Sequence, residues 1–263
     1  MCTIVVLYGI HPEFPVLVAA NRDEFYARAA LGPAVVEADP RILAGRDLEH
    51  GGSWLGACAS GLFVGLTNQR TFEAPDPALR SRGEVVLEAL RRQSLDGARR
   101  YVTSVDCRKY NPFNLIYGDA TGVEVAYARS ESASPEIEPL RAGVTVLTND
   151  RVGSPDFPKA LRAAELAQGV GGSSWSEWLE ALRGLLADHR MPDERSLADP
   201  PAHSPFDKPL LQQLQALCIH TPVYGTRSAS VIALAQGRVA HYDYADGPPC
   251  TAPFVDVSHL LAG

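Results

Sequence analysis

The chain has 263 residues, a length that fits one large domain or two small ones and is long enough to bury a proper core. Hydrophobic residues make up 46% and charged residues 21%, which excludes disordered, collagen-like and disulfide-scaffold classes. A net charge of −7 with no long basic cluster argues against nucleic acid as a partner, and no apolar run approaches the roughly 18 residues that a membrane span requires.

The first fifteen residues, MCTIVVLYGIHPEFP, carry no basic region ahead of their apolar segment and no clear small-residue cleavage site, so no secretory signal is predicted. Five widely spaced cysteines without a CxxC pair argue for a reducing cytoplasm and against a zinc site. Only three of the 24 basic residues are lysines, Lys109, Lys159 and Lys208, a bias with no functional reading of its own.

In chain order, short β-type runs come first, at 3–9, 15–20, 41–45, 53–59 and 62–68, with Gly51-Gly52 and Ser60-Gly61 as turn material. The period then changes to that of two helices between Ala78 and about Val105, broken near Ser94. Strand runs return at 113–119, 123–129 and 144–150. Two helical patterns follow, Phe157 to Ala167 and Ser174 to His189, separated by the GVGG of 169–172. The Pro-rich stretch 191–210 reads as a surface loop or flap over a site, and strands at 228–234 and 238–244 hinge on Gln236-Gly237. Blocks of strands alternating with helix pairs predict an α+β layered domain in which the helices cover two stacked sheets from outside. No GxGxxG or P-loop pattern opens a helix.

Cys2 stands first among candidate chemical groups. Removal of Met1 leaves a thiol and an α-amine on one residue, and an amine of pKa near 7.7 to 8 can take the thiol proton. A small buried residue leading into a strand is the alternative. In the Asn21-Arg22-Asp23-Glu24 run, alternation puts Asn21 and Asp23 on one strand face and Arg22 and Glu24 on the other. A hairpin of the first two strands brings Asp23 beside the Cys2 amine, although a charged strand end and turn accounts for the same residues. Asn68 and Asn149 each end a Leu-Thr-Asn strand terminus, where carboxamides suit an oxyanion hole or cap the next turn. Arg227, after Tyr224-Gly225-Thr226, either binds a carboxylate or forms a surface ion pair.

The segments MCTIVV, ANRDEF, GGSWLGACASGLFVGLTNQR, LTND and YGTRSASV, in this order, resemble the NRDE family, also called the Transport and Golgi organisation family. The resemblance spans the whole chain, 1–263, and implies the four-layer αββα sandwich of N-terminal nucleophile hydrolases. It implies a catalytic set of Cys2, Asp23, Asn68, Asn149 and Arg227, with Asn21, Arg22, Glu24 and Tyr224 binding substrate and no metal. The arginine of the bile-salt and penicillin-V amidase branch falls on Ala20 rather than Arg22, a departure from the amidase pattern. Two function classes are implied. One is a hydrolase of linear amides with a small or lipid-like acyl group and no cofactor. The other is a non-catalytic carrier of haem or another amphipathic ligand, held transiently and non-covalently, with Cys2, His11, His50, His203, His220 and His241 as available ligands and Tyr224, Tyr242 and Tyr244 as pocket aromatics.

Overall fold

The computed structural model describes residues 2–262. The apolar run after Cys2 becomes β1 (Thr3–Tyr8), and β2 (Val16–Phe25) returns antiparallel to it, carrying the Asn-Arg-Asp-Glu run inside the strand rather than in a turn. A meander follows: β3 (Ala30–Ala38), β4 (Arg41–Asp47), β5 (Leu55–Cys58) and β6 (Phe63–Asn68). Helices α1 (Gly83–Leu90) and α2 (Leu95–Thr103) break where expected, and the Ser94 hydroxyl caps the second by accepting from Gly97 N–H. Then come β7 (Phe113–Asp119), β8 (Gly122–Ala128), β9 (Glu136–Pro139) and β10 (Gly143–Leu147). Helices α3 (Pro158–Ala167), α4 (Trp175–Leu186) and α5 (Lys208–Gln213) precede β11 (Tyr224–Ala235), β12 (Arg238–Ala245) and β13 (Val255–Asp256).

Two sheets result, one of six strands in the order β10-β1-β2-β11-β12-β13 and one of seven in the order β3 to β9. Alternation along each strand gives every sheet two apolar faces. Ile4, Val18, Leu43, Phe63, Ile116 and Ile232 fill the space between the sheets. Val85, Val86 and Leu90 of α1 close the outer face of the seven-stranded sheet over Ile42, Leu115 and Tyr117. Trp178, Leu182 and Leu186 of α4, with Ala163 of α3, cover Val5, Leu17 and Val231 on the six-stranded sheet. The layer order is αββα, and truncating Leu182, fully buried in the outer helix layer, is expected to cost about 2–5 kcal/mol.

Four elements escape the periodic pattern. β3 holds Gly32-Pro33 and suffers two register shifts as an edge strand, the position where proline is tolerated. β9 and β13 are short edges. α5 lies at the end of the stretch expected to be irregular; Asp207 caps it from Leu210 N–H and Pro209 sits in its first turn, but neighbouring prolines mask that start signal. No helix among the described residues is long and apolar enough to cross a membrane.

Candidate functional site

Register places the site. Thr3 pairs with Asn21, so one step further Cys2 stands opposite Arg22 at the open end of the inter-sheet space. The Asp23 main chain reaches the half-buried Cys2 thiol. Desolvation pushes that thiol up, Asp23's charge acts in the same direction, and the Arg22 guanidinium opposes both. Arg22 shares this face with Ala20, so a cation arrives beside Cys2 from two residues beyond the position that the resemblance marks. The guanidinium lies 4.3 Å over the Trp54 ring.

The opposite face of β2 is dry. Asn21 does not extend its amide into the cleft: Nδ2 donates to the carbonyls of Leu186 at 2.9 Å and Leu217 at 2.8 Å, tying the strand to the helix layer. Asp23 Oδ1 accepts from the Thr226 hydroxyl at 2.7 Å, and Lys159 Nζ of α3 stands 3.9 Å from Oδ2 with neither side chain exposed. Burial pushes the Asp23 carboxyl up and the Lys159 amine down, and their mutual attraction opposes both shifts. Lys159 was not among the expected site residues; its one sequence signal is a lysine in an arginine-dominated chain.

The two Leu-Thr-Asn termini meet. Thr67 Oγ1 donates to the Thr148 carbonyl at 2.5 Å, and Asn149 Nδ2 donates to the Asn68 carbonyl at 2.6 Å, joining β6 of one sheet to the end of β10 of the other. Buried Asn114 backs this junction, donating to Thr67 Oγ1 at 3.1 Å. Among the described residues Asn149 Oδ1 has no hydrogen-bond partner, though it is buried, while the Asn68 side chain is exposed on the cleft. Tyr224 donates its hydroxyl to the Asp23 carbonyl at 2.8 Å, and Glu24 pairs with Arg28 at 3.5 Å, both on the cleft wall.

Arg227 is not brought to the cleft. It is the extra residue of a bulge, because Thr226 pairs with Asp23 while Ser228 pairs with Arg22. The bulge turns its side chain to the carbonyl and ring of Tyr26. Gly225 next to it permits the close approach of the Tyr26 hydroxyl, which a Cβ would block.

Cys2, Asn68 and Asn149 line one cleft of about 1000 Å³, and Asp23 borders it while its carboxylate stays buried against Thr226 and Lys159. Its wall includes His203, Phe206 and Leu210 from the 191–210 stretch expected to form a flap, and Leu214 just beyond it. Five arginines, Arg22, Arg28, Arg70, Arg80 and Arg82, also reach it. Among the described residues no carboxylate lies within ion-pair distance of Arg82, and burial pushes its guanidinium down to about 10. Of the expected haem ligands, only Cys2, His50 and His203 face the cleft; His11 and His241 stack in an aromatic group with Phe14 and Trp175, and His220 lies beside Cys218 and Cys250.

Two stacked antiparallel sheets between two helix layers make the αββα sandwich of the N-terminal nucleophile hydrolase fold. Solved structures agree over nearly the full length: penicillin V acylase from Agrobacterium tumefaciens matches with a TM-score of 0.57 at 14% identity, covering 97% of this chain and 86% of that one. The C2A mutant of conjugated bile acid hydrolase from Clostridium perfringens matches at 0.56 and 11% identity, covering 100% and 95%. The chain belongs to the Transport and Golgi organisation 2 family, whose model matches residues 1–243. The human Transport and Golgi organization protein 2 homolog is 29% identical over 253 residues, 91% of each chain, and the Bos taurus homolog is 30% identical over 258 residues, again 91% of each.

Proposed function

We propose that this protein is an N-terminal-cysteine hydrolase of linear amides whose acyl portion is apolar and carries an anionic group. One observation carries the reading: the residue-2 thiol stands at the base of the large cleft, between a guanidinium and the Asp23 main chain. The conjugated bile acid hydrolase on the same fold was solved with a C2A substitution, which places cysteine at the same ordinal position in that protein.

A thiol pushed up by burial is protonated at neutral pH and needs a base. Once Met1 is removed, the α-amine of Cys2 accepts that proton as Sγ attacks the amide carbonyl. The carbonyl π electrons move to oxygen, where the Asn68 carboxamide and the second N–H of Asn149 stabilise the charge. Collapse breaks the C–N bond, and the α-ammonium returns its proton to the departing amine. Water, deprotonated by the same amine, then attacks the acyl-cysteine, releasing a carboxylic acid and the free thiol. Asp23 holds the ammonium form, and Lys159 moderates the charge of Asp23.

The cleft gives the substrate its character. Phe206, Leu210 and Leu214 offer apolar surface, and Arg82 offers a desolvated cation to a carboxylate, sulfonate or phosphate at the far end of the acyl chain. The same features fit a second reading, a carrier of an amphipathic anion such as haem without turnover, for which His50 and His203 face the cavity. Cys2→Ala separates them. Hydrolysis of acyl amides that disappears in a folded Cys2→Ala protein supports the enzyme; hydrolysis that persists removes the mechanism. Saturable haem binding with a shifted Soret band, unchanged by Cys2→Ala and unaccompanied by any amide turnover, places the protein in the carrier class.

A further inference from the structure

A second constellation lies outside the cleft. His189 follows α4, Cys218 and His220 precede β11, and Cys250 follows β12. Their ligand atoms all fall within 4.8 Å of one another. Cys218 Sγ is 3.7 Å from Cys250 Sγ and 3.6 Å from His220 Nε2, and Cys250 Sγ is 3.4 Å from the same nitrogen. Zn–S bonds of about 2.3 Å and Zn–N bonds of about 2.0–2.1 Å at tetrahedral angles set S···S near about 3.8 Å and S···N near about 3.6 Å. The three separations among Cys218, His220 and Cys250 match three edges of a tetrahedron around one ion, and His189 brings a fourth ligand atom within 4.8 Å of them.

We infer that His189, Cys218, His220 and Cys250 form a structural zinc site. Two thiolates with two imidazoles form a borderline-soft set that favours zinc over magnesium or calcium, and four protein ligands leave no open position for catalysis. His189 Nδ1 lies 3.0 Å from the Cys218 carbonyl; a carbonyl only accepts, so Nδ1 carries the proton and Nε2 the lone pair, the tautomer that metal-bound imidazoles take. Binding releases the two thiol protons to solvent. Cysteine spacing alone argues against zinc because the proposed ligands come from three separate segments: only Ile219 separates Cys218 from His220, and His189 and Cys250 join them through the fold.

The site has a structural task. His189 and Cys218 bracket residues 190–217, and that segment supplies His203, Phe206, Leu210 and Leu214 to the cleft wall. Backbone bonds from Leu217 N–H and Cys218 N–H to the Asp188 carbonyl close the same base. A metal ion there pins both ends of the wall at once.

The test is metal analysis of the untagged full chain purified under reducing conditions, then cobalt replacement. The expected result is about one zinc per chain and, with cobalt, intense visible d–d bands of tetrahedral geometry together with thiolate-to-cobalt charge transfer. Cys250→Ser lowers the charge-transfer intensity by about half, whereas Cys58→Ser and Cys107→Ser leave the spectrum unchanged. Chelation makes the 190–217 segment the first site of limited proteolysis. Less than about a tenth of an equivalent of zinc after loading, or a cobalt spectrum without thiolate charge transfer, overturns the assignment. Recovery of Cys218 and Cys250 as a disulfide from the protein purified under reducing conditions overturns it too. Because the cobalt spectrum is read on the unmutated chain, a variant that fails to fold does not shield the inference.

Discussion

The two faces of β2 put neighbouring residues of one motif into different worlds. Arg22 and Glu24 line a wide cleft, Arg22 largely covered by the Trp54 ring and Glu24 paired with Arg28. Asn21 and Asp23 face the underside of the helix layer, where Asn21 gives both amide hydrogens to carbonyls and Asp23 meets Lys159 in a dry pocket. The lesson is that the Asn-Arg-Asp-Glu run is half scaffold and half site, and that its alternation sorts the roles. On the cleft side the two charges are held by a ring face and an ion pair, whereas burial on the helix side pushes Asp23 and Lys159 towards neutrality.

Substitutions can break this division, and the largest effect belongs to the cleft face. Cys2→Ala is expected to reduce turnover to background while circular dichroism stays unchanged, because the thiol is half-buried at the end of the strand and supports little packing. On the dry face, Lys159→Met removes a cation 3.9 Å from buried Asp23 and is expected to destabilise the fold by about 3 kcal/mol at neutral pH, read by urea unfolding. The double variant Lys159→Met with Asp23→Asn should recover part of that loss; additive losses would show that the two groups are not coupled.

Asp243 extends the contrast to β12. Burial raises its carboxyl from an ordinary 3.8 to about 6, against the opposing hydrogen bond from Trp175 Nε1 at 3.1 Å. The native state therefore holds a proton that the unfolded chain has already released, so this residue's contribution to stability falls as pH rises from about 4 to about 6 and stays low above that. Asp243→Asn should flatten that slope and stabilise the protein at pH 7 by no more than about 3 kcal/mol, measured as thermal unfolding against pH.

Smaller effects sharpen the picture of the cleft. Arg82→Gln is expected to raise KM for an anionic acyl amide about tenfold with little change in kcat, and to leave a neutral amide unaffected. Arg227→Gln is expected to change neither turnover nor stability by more than about 0.5 kcal/mol, since the guanidinium lies on Tyr26. A large loss of kcat in Arg227→Gln would return that residue to the site and refute the bulge argument.

Much of this was legible in the residues. Strand runs, the break at Ser94 and the block order of strands and helices come from local periodicity, and the repeated Leu-Thr-Asn strand ends mark Asn68 and Asn149, though not that they meet. The face assignment of Asn21 to Glu24 follows from alternation alone. What the residues hide is non-local. Lys159 looks like any helix-surface lysine until the fold sets it under β2, and Arg227 leaves the strand's alternation through a bulge that no residue pattern announces. The Cys218 to Cys250 group assembles only after three distant segments close. Short edge strands with proline or few residues carry too little pattern to stand out from loops.

The central claim is that Cys2 becomes the N-terminal residue and forms an acyl intermediate. Intact-mass spectrometry of the untagged protein, taken before and during turnover of an acyl amide, tests both parts together. The account predicts a mass lacking Met1, then a transient acyl adduct that maps to Cys2 and is missing from Cys2→Ala. An active protein that retains Met1, or turnover with the acyl group found on another residue, would contradict it.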